Sequence, residues 1–324
     1  MTRDFSSTKP LRERLSGGLI PAVPVPFDRN GRLHEAGHNS YLRYMSAPAI
    51  AGVAVWAHTG RGLLLDDETA GRIMQDWRSA LPDKALIAGV GAKGIPSENA
   101  TALTLKMAEA AINYGADALL VYAPTWLRNH DSRDKLIVEY HARLSEIGKP
   151  IVLFYLYEAA GGISYTKTVL DELLSLPHIV GIKVATLDSV MTYQDIAQQL
   201  KERHPDKLLI TGEDRFLGYS LRRGARAALI GLGAVCCELQ CELMAAHTNG
   251  NQERFLELSD AVDTLAEALF IEPMEGYIGR ILMALTHLGV VPVEAAFDPW
   301  GPEPAAGEFD RIGRVVNALT ACTS

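Results

Sequence analysis

The sequence predicts a (β/α)8 TIM barrel with a C-terminal helical extension, and three observations support this fold. Apolar runs rich in β-branched residues recur about thirty residues apart, the length of one strand and one helix. Eight such runs occur, and amphipathic stretches separate most of them. No linker, low-complexity tract or charge run divides the sequence. We therefore expect an N-terminal arm at 1–17, the barrel at 18–235, and a helical extension of the same domain at 236–324.

The eight predicted strands are short apolar runs bounded by polar or glycine-containing segments. Two of the strands follow glycines, Gly115 and Gly148, which are suited to end the preceding helix. This alternation of strands and helix ends predicts a parallel sheet. The predicted strands occupy residues 18–24, 52–58, 85–91, 118–123, 150–156, 179–186, 208–211 and 227–232.

Amphipathic stretches predict the helices. Three of these stretches begin at serines, Ser97, Ser132 and Ser189, whose hydroxyls are suited to cap free backbone N–H groups. We expect each of these serines to be an N-cap. The predicted helices cover residues 68–79, 97–114, 132–147, 166–175 and 189–203 in the barrel, and 252–269 and 277–288 in the extension.

One motif favours a different fold, the doubly wound nucleotide-binding sheet. Gly89, Gly91 and Gly94 form G-x-G-x-x-G after a predicted strand. That fold also needs a helix that opens directly at the glycines and an acidic residue at the end of the next strand. Here Asp117 precedes the next strand, and Pro96 delays the helix. We therefore interpret the glycines as a tight barrel loop.

The overall composition is that of a globular enzyme. Of 324 residues 48% are hydrophobic, the mean hydropathy is +0.05 and the net charge is −8. The negative charge argues against nucleic acid or an anionic membrane surface as a partner. The sequence has no signal-peptide pattern and no apolar run of membrane-spanning length, so a cytoplasmic location is expected. Glu272 and Glu275, in the extension, are interpreted as solvated or interface charges.

The four cysteines predict neither a disulfide framework nor a metal site. Cys236, Cys237 and Cys241 are clustered, and Cys322 stands near the C-terminus. Their spacing lacks the two pairs that a zinc site needs, and His247 alone does not supply the missing ligands. We interpret the cysteines as packing residues.

The run 178–186, HIVGIKVAT, predicts a buried strand with a lysine at its centre. Strand alternation places Gly181, Lys183 and Ala185 on one face and Val180 on the other. The small neighbours leave room beside the amine, and burial lowers the pKa of an amine and makes it a nucleophile. The alternative is a lysine whose stem follows the barrel wall while its head meets a carboxylate or water.

The fifth predicted strand carries a tyrosine suited to proton transfer. Alternation places Ile151, Leu153 and Tyr155 on one face, and if that face points inward, Tyr155 and Lys183 meet inside the barrel. A phenol near a neutral amine can move the protons that imine formation requires. The alternative is a core tyrosine whose hydroxyl is satisfied locally.

A polar turn, His58-Thr59-Gly60-Arg61, follows the second predicted strand. In a (β/α)8 barrel the active site lies at such C-terminal strand ends. Backbone N–H groups and the Thr59 hydroxyl would form an anion nest suited to a carboxylate. The alternative is a turn in which Thr59 only caps the following helix.

Taken in order, these motifs resemble the dihydrodipicolinate synthase and N-acetylneuraminate lyase superfamily of Schiff-base aldolases, over about residues 18–289. The resemblance implies a (β/α)8 barrel with a helical extension, a homotetramer built as a dimer of dimers, no metal and no organic cofactor. The matching segments are PAVPVPFDRNGRL (21–33), HTG (58–60), FYLYE (154–158), GIKVAT (181–186) and TGED (211–214).

The resemblance also implies roles for the residues that carry it. Lys183 is the residue that forms an imine with a 2-oxo acid. Tyr155 is the proton shuttle, and Thr59 and Gly60 hold the substrate carboxylate through the hydroxyl and a backbone N–H.

Four further residues complete the expected site. Glu213 and Asp214 stand where relatives contact the distal hydroxyls of a sugar-like substrate. Trp126 stands where synthase relatives have a tyrosine that crosses into the neighbouring subunit, and Tyr157 is counted with the substrate-binding residues.

The departures from the family pattern change the expected substrate. His58 replaces a Ser or Thr, and Arg61 replaces a Glu. Ala160 stands near the position of the arginine that grips a second carboxylate in synthase members, so a dihydrodipicolinate synthase is not expected. Arg61 is suited either to bind an acidic substrate group or to pair with Glu158 or Asp66.

We therefore expect a lyase that forms a Schiff base with a 2-oxo acid. It either cleaves or forms a carbon–carbon bond, as an aldolase, or dehydrates a 2-keto-3-deoxy sugar acid. Two alternatives stay open: a non-catalytic barrel that binds 2-oxo acids, and a 4-hydroxy-tetrahydrodipicolinate synthase with an altered pocket.

Overall fold

The computed structural model describes residues 8–92 and 99–321, and within them eight parallel strands form one sheet. All eight strands lie within the predicted runs. The strands are β1 (Leu19–Pro21), β2 (Gly52–Val55), β3 (Ala85–Val90), β4 (Ala118–Val121), β5 (Ile151–Leu156), β6 (Ile179–Ala185), β7 (Leu208–Thr211) and β8 (Ala227–Ile230).

The sheet closes into a barrel between its first two strands. Each strand pairs with its sequence neighbour from β2 through β8, and β8 pairs with β1. A bridge between Ala22 and Ala54 joins β1 to β2, and the N–H of Ala51 donates to the carbonyl of Leu19 at 2.9 Å. The predicted (β/α)8 TIM barrel is confirmed, and the alternative of an open doubly wound sheet is wrong.

Helices surround the barrel and form the extension after β8. They are α1 (Thr8–Leu15), α2 (Glu35–Ser46), α3 (Asp67–Ala80), α4 (Ala100–Asn113), α5 (Arg133–Ser145), α6 (Lys167–Ser175), α7 (Val190–Arg203), α8 (Leu217–Arg222), α9 (Cys237–Thr248), α10 (Gln252–Leu269), α11 (Tyr277–His287) and α12 (Glu308–Ala321).

The helix starts test the predicted caps. Ser189 accepts a hydrogen bond from the N–H of Thr192 and caps α7, as predicted. Ser132 occupies the cap position of α5, but its side chain makes no capping bond. Four residues named in the sequence predictions, Gly94, Pro96, Ser97 and Cys322, lie outside the described residues.

Strand alternation divides the apolar residues into two layers. The inner layer fills the barrel, and the outer layer packs against the helices. Helix α1, in the predicted N-terminal arm, contributes Leu11 and Leu15 to the inner layer, and both are fully buried. Full burial of such a side chain contributes about 1.5–3 kcal/mol, so α1 stabilises the barrel by closing one end of it.

The pairing of β5 with β6 contains an irregularity that affects the faces of β6. Ile151 pairs with Ile179, but the next residue, Val152, pairs with Gly181. Val180 is therefore an extra residue, and it packs in the inner layer. The predicted outward position of Val180 is wrong because this bulge resets the alternation before Gly181.

The glycines of the G-x-G-x-x-G motif are explained by close packing of the barrel. A Cβ atom on Gly89 would lie 2.3 Å from the carbonyl oxygen of Trp56, and one on Gly91 would lie 3.1 Å from Cβ of Tyr122. A side chain at Gly89 would collide with the neighbouring backbone. Across the described residues, no helix is long and apolar enough to cross a membrane.

Candidate active site

Lys183 extends into the barrel from the middle of β6. Its residue is 6% exposed, and its Nζ lies 4.4 Å from the ring centroid of Phe154 on β5. Desolvation lowers the pKa of Lys183 to about 8, although Asp214 and Glu213 oppose the shift. About a tenth of the amine is therefore unprotonated at pH 7, against far less than a hundredth for a free lysine.

The lysine has charged neighbours but no ion-pair partner. Among the described residues, no carboxylate oxygen lies within 4.0 Å of Nζ. The carboxyl with the larger electrostatic effect on Lys183 is Asp214, after β7, whose Oδ1 accepts a hydrogen bond from the N–H of Leu232 at 2.7 Å. Burial raises the pKa of Asp214 to about 7, so this carboxyl is also suited to hold or release a proton.

Glu213 stabilises the turn that follows β6, next to the cavity. Its carboxylate accepts hydrogen bonds from the N–H and hydroxyl of Thr186, at 2.7 and 2.9 Å, and from the N–H of Leu187 at 2.9 Å. The side chain is fully buried, and burial raises its pKa to about 7. Glu213 thus holds the turn after β6 and does not line the cavity, contrary to its predicted contact with substrate hydroxyls.

Gly212 makes room for the lysine stem. A Cβ atom at this position would lie 2.7 Å from Cε of Lys183 and 2.9 Å from the carbonyl oxygen of Val184. Real Cβ atoms essentially never come this close to other heavy atoms. The glycine of the TGED segment is therefore needed for the lysine to reach the cavity.

The predicted position of Tyr155 beside Lys183 is wrong. Phe154 pairs with Lys183 across the β5–β6 ladder, and Tyr155 pairs with Val184. The inward face of β5 carries Phe154, and Tyr155 lies in the outer layer, with its ring 5.8 Å from that of Tyr165. Successive strand residues face opposite sides, so the phenol cannot share the lysine's face.

The predicted carboxylate turn is a single 3-10 turn at His58–Gly60. Its amide groups are partly occupied, because the N–H of Gly60 donates to the carbonyl of Ala57 at 2.9 Å and that of Arg61 to His58 at 3.1 Å. The Gly60 N–H is thus already bonded within the turn, and the binding of a carboxylate by Thr59 and Gly60 stays a prediction. The Thr59 hydroxyl lines the cavity and shares a hydrogen bond of 3.0 Å with the hydroxyl of Tyr277.

Arg61 is held by two carboxylates from the C-terminal extension. Its Nη2 donates to Oδ2 of Asp298 at 2.7 Å, and its Nη1 donates to Oε2 of Glu275 at 2.8 Å. Neither predicted structural partner is used, since Asp66 caps α3 and Glu158 accepts from Ser164. With its guanidinium occupied, Arg61 serves as a buried structural link between barrel and extension.

His58 lies between Tyr277 and Glu275. Its Nδ1 is 3.1 Å from the Tyr277 hydroxyl, and its Nε2 is 3.4 Å from Oε1 of Glu275. Burial lowers the pKa of His58 to about 4, so the ring is neutral at pH 7. Glu275, which is 39% exposed, therefore joins the extension to His58 and Arg61. Glu272 accepts a hydrogen bond from the N–H of Met274.

Tyr277 is a site residue that the sequence did not identify. It begins α11, 218 positions from Thr59 along the chain, and its ring stacks on Phe270 at 4.7 Å between centroids. A tyrosine at the start of an amphipathic helix is usually interpreted as a core residue. No local sequence pattern predicts that the extension folds back over the barrel mouth.

The cavity above Lys183 has a volume of about 30 Å³ and is open to solvent at its mouth. Five of the predicted site residues line it: His58, Thr59, Tyr157, Lys183 and Asp214. Trp126 lies outside it, in a separate small depression beside Tyr122. The described residues that line the cavity are His58, Thr59, Phe154, Leu156, Tyr157, Ala160, Lys183, Ala185, Leu187, Gly212, Asp214, Gly231, Phe270 and Tyr277.

The cysteines lie away from this cavity. Cys236, Cys237 and Cys241 are free thiols at the start of α9. Within residues 8–92 and 99–321, no group of three or more His, Cys, Asp or Glu side chains is placed to hold a metal ion.

Comparison with known proteins agrees with this architecture. The chain belongs to the dihydrodipicolinate synthetase family, whose family model matches residues 15–308. A 4-hydroxy-tetrahydrodipicolinate synthase of Stenotrophomonas maltophilia is 30% identical over 235 residues, which cover 71% of this chain and 74% of the relative. The enzyme of that name from Bartonella quintana is 24% identical over 258 residues, covering 79% and 83%.

Solved structures share the fold at lower identity. Dihydrodipicolinate synthase from Thermotoga maritima has a TM-score of 0.83 at 20% identity, covering 94% of this chain and 99% of its own. N-acetylneuraminate lyase from Mycoplasma synoviae has a TM-score of 0.74 at 20% identity, covering 95% and 98%. The resemblance found in the sequence is confirmed, and the chain is a member of this superfamily of lyases.

Proposed function

We propose that this protein is a lyase that forms a Schiff base between Lys183 and a 2-oxo acid. The observation that carries the proposal is the state of Lys183: it is buried in the cavity, its pKa is about 8, and it has no carboxylate partner within ion-pair distance among the described residues. An unpaired, partly neutral amine at the C-terminal end of barrel strands is suited to attack a carbonyl carbon.

The protonated imine would act as an electron sink for the adjacent carbon. Breaking the next carbon–carbon bond releases an aldehyde and leaves an enamine, which is the aldolase reaction. Removing a proton beside the imine and expelling a hydroxyl group is the dehydratase reaction, on a 2-keto-3-deoxy sugar acid. Asp214, with its pKa near 7 and its place in the cavity, is suited to contact a substrate hydroxyl in either case.

The cavity favours a substrate with a single carboxylate. Among the described residues that line it, Lys183 is the only lysine or arginine, and Ala160 stands near the position expected for a second carboxylate's arginine. Arg61 is already paired with Asp298 and Glu275. A second substrate carboxylate would therefore be desolvated without a cation, which argues against dihydrodipicolinate synthase activity.

The substrate carboxylate is assigned to the Thr59 side of the cavity. The hydroxyl of Thr59 is buried there beside Tyr277, in the cavity that Lys183 also lines. Tyr157 is half-buried at the mouth, where it is suited to contact the distal end of the substrate.

A second function, a 2-oxo acid-binding barrel without turnover, is favoured by one observation. The side chain nearest the lysine on β5 is the ring of Phe154, which cannot donate or accept a proton. Such a barrel would still bind a 2-oxo acid but would release it unchanged.

Borohydride trapping tests the proposal. The protein is incubated with pyruvate, 2-oxobutanoate or 2-keto-3-deoxygluconate, reduced, digested and analysed by mass spectrometry. We expect a reduced adduct on Lys183 and at least a thousandfold loss of adduct in Lys183→Ala. Lys207→Ala removes a half-buried lysine that precedes β7 and donates to the carbonyl of Ile179 at the start of β6, and it serves as the matched control.

Three outcomes separate the candidate functions. An adduct together with release of aldehyde or water-loss product supports the lyase. An adduct without turnover of any hydroxylated 2-oxo acid supports the binding barrel. No adduct with any acid, or one that persists in Lys183→Ala, contradicts the Schiff-base proposal.

Several expectations from the sequence stay predictions. They are a homotetramer, a subunit-crossing position for Trp126, a cytoplasmic location, and a reaction without metal or organic cofactor. Light scattering of the purified protein measures the first of these directly.

A further inference from the structure

Imine formation needs proton transfers that the strand beside Lys183 cannot supply. When the amine adds to the ketone, a proton must leave nitrogen and two must reach oxygen before water departs. The β5 residue opposite Lys183 is Phe154, and the phenol of Tyr155 lies in the outer layer. No proton donor within β5 thus faces the amine, and the donor lies among the other residues of the cavity, which include Asp214, Tyr157 and Tyr277.

The hydroxyl of Tyr277 is a suitable group among these residues. Tyr277 lines the same cavity as Lys183, and its Oη lies 3.0 Å from Oγ1 of Thr59 and 3.1 Å from Nδ1 of His58. Its ring stacks on Phe270 at 4.7 Å between centroids and lies nearly parallel to the ring of His58, 6.1 Å away. These two aromatic neighbours and the two hydrogen bonds position the phenol.

A continuous chain of polar groups leads from this hydroxyl to solvent. His58 Nε2 lies 3.4 Å from Oε1 of Glu275, and the other Glu275 oxygen accepts from Arg61 at 2.8 Å. Side-chain exposure rises along the chain, from 8% for the Tyr277 residue to 21% for His58 and 39% for Glu275. The cavity end is buried, and the outer end meets water.

We propose that Tyr277 is the catalytic proton donor and acceptor for the Lys183 imine, with His58 and Glu275 as positioning residues that connect it to solvent. This inference rests on the proposed function. It assigns the proton transfer to the C-terminal extension instead of the fifth strand.

The step balances with one proton from solvent. The Lys183 amine bonds to the ketone carbon, and the carbonyl electron pair moves to oxygen. Tyr277 donates its hydroxyl proton to that oxygen and takes the proton released by nitrogen, directly or through the Thr59 hydroxyl. A second proton, passed through His58, reaches the same oxygen, and the carbon–oxygen bond breaks to give water and the protonated imine.

The histidine geometry suits this transfer. For this inward transfer the neutral ring carries its proton on Nδ1 and donates it to the Tyr277 hydroxyl oxygen, 3.1 Å away, while the unprotonated Nε2, 3.4 Å from Oε1 of Glu275, accepts the next proton from the solvent side. Arg61 fixes the other oxygen of Glu275, so the carboxylate stays aligned with the ring. Accepting a proton at one ring nitrogen and releasing one at the other moves a proton along the chain without displacement of any side chain.

Exchange of the ketone oxygen tests the proposal, because each round of imine formation and hydrolysis replaces that oxygen with one from water. The probe is pyruvate labelled with ¹⁸O at the ketone, corrected for exchange without protein. Tyr277→Phe removes only the hydroxyl and keeps the ring stack. We expect its exchange rate at saturating pyruvate to fall about a hundredfold, while the KM changes less than threefold.

The final amount of Lys183 adduct in borohydride trapping distinguishes the Schiff-base proposal from the proposed role of Tyr277. A missing proton donor slows imine formation without changing its equilibrium, so Tyr277→Phe should reach the wild-type amount of Lys183 adduct. His58→Gln, as a second variant, should slow exchange about tenfold. Tyr193→Phe, which removes a buried hydroxyl bonded to the Ser220 carbonyl, is the control and should exchange at the wild-type rate.

The outcomes are distinct. Normal exchange in Tyr277→Phe, with Lys183 adduct present, overturns the assignment of Tyr277 and leaves the proposed function intact. A rise in KM at an unchanged saturated rate shows that Tyr277 only supports Thr59, and it also overturns the assignment. Absence of adduct in the wild-type protein overturns the proposed function itself.

Discussion

Two buried cations at the mouth of the barrel, Arg61 and Lys183, are held in opposite ways. Arg61 donates hydrogen bonds to both oxygens of Asp298 and to Glu275. Lys183 contacts the face of Phe154, and no carboxylate of the described residues lies within 4.0 Å of its nitrogen. The residues are similarly buried, with 8% and 6% of their surface exposed.

The difference separates a structural charge from a reactive one. A buried guanidinium with satisfied donors stays charged and links the elements that carry its partners. A buried ammonium without a partner is destabilised relative to the neutral amine, and its pKa falls to about 8. The ion pairs of Arg61 therefore stabilise the packing of the extension on the barrel. Burial of the Lys183 ammonium instead destabilises the folded protein, and the same burial makes the amine a nucleophile.

The largest expected effect comes from breaking the satisfied pair. Asp298→Ala leaves Arg61 buried with Glu275 as its remaining partner. Removal of one member of a buried ion pair costs about 3–5 kcal/mol, because the other charge is left uncompensated. We expect the free energy of unfolding to fall by about this amount, measured by urea unfolding at pH 7.

An exposed ion pair is the control for this change. Glu146→Ala breaks the pair of Arg143 with Glu146, whose side chains are 62% and 61% exposed. Such pairs contribute about 0–1 kcal/mol. If Asp298→Ala costs no more than this control, Arg61 is not the structural link that the geometry indicates.

The next effect has the opposite sign. Lys183→Met removes the cost of burying an ammonium and keeps an unbranched side chain of similar length. In the wild-type protein the pKa of Lys183 is about 8 when folded, against 10.5 for a free lysine, a difference equivalent to about 3 kcal/mol at most. We expect Lys183→Met to raise the free energy of unfolding by about 1–3 kcal/mol at pH 7 while abolishing the Schiff base.

The pH dependence of this gain identifies its cause. Below pH 8 the lysine is charged in both states, so the full cost of burial is present. Between about pH 8 and 10.5 the unfolded chain binds more protons than the folded chain, and the wild-type protein gains stability relative to the variant. The difference between the two unfolding free energies should therefore shrink over this range, and a constant difference would rule out titration of Lys183.

The smallest expected effect concerns the tyrosine that lies on the wrong face. Tyr155→Phe removes a phenol in the outer layer, beside Tyr165. We expect the rate of adduct formation with a 2-oxo acid to stay within twofold of the wild-type rate. A loss of a hundredfold would return the proton shuttle to Tyr155, as the sequence had predicted.

The sequence was informative where a pattern repeats locally. The spacing of apolar runs predicted all eight strands, because each strand must fill one layer of the barrel. The lysine in an apolar strand, between Gly181 and Ala185, was enough to predict a buried amine. Ala185 and Lys183 share the inner face as expected, since alternation is regular beyond the bulge at Val180.

The fifth strand shows the limit of this approach. Residues 150–156 are apolar throughout, so either set of alternating residues could face inward. The resemblance to a tyrosine-containing segment favoured Tyr155, one position from the residue that pairs with Lys183. A shift of one residue moves a side chain to the other face, and only the ladder between β5 and β6 decides which one faces the amine.

By itself the sequence determined the barrel, the lysine strand and the family, because these depend on short-range periodicity and on motifs in order. Only the tertiary structure decided that Tyr277, Glu275 and Asp298 reach the turn at His58, from more than 200 positions away. Such contacts follow from how the extension packs over the barrel mouth, and packing depends on many distant side chains at once. The partners of each buried charge, and hence which charge is reactive, are settled at that level.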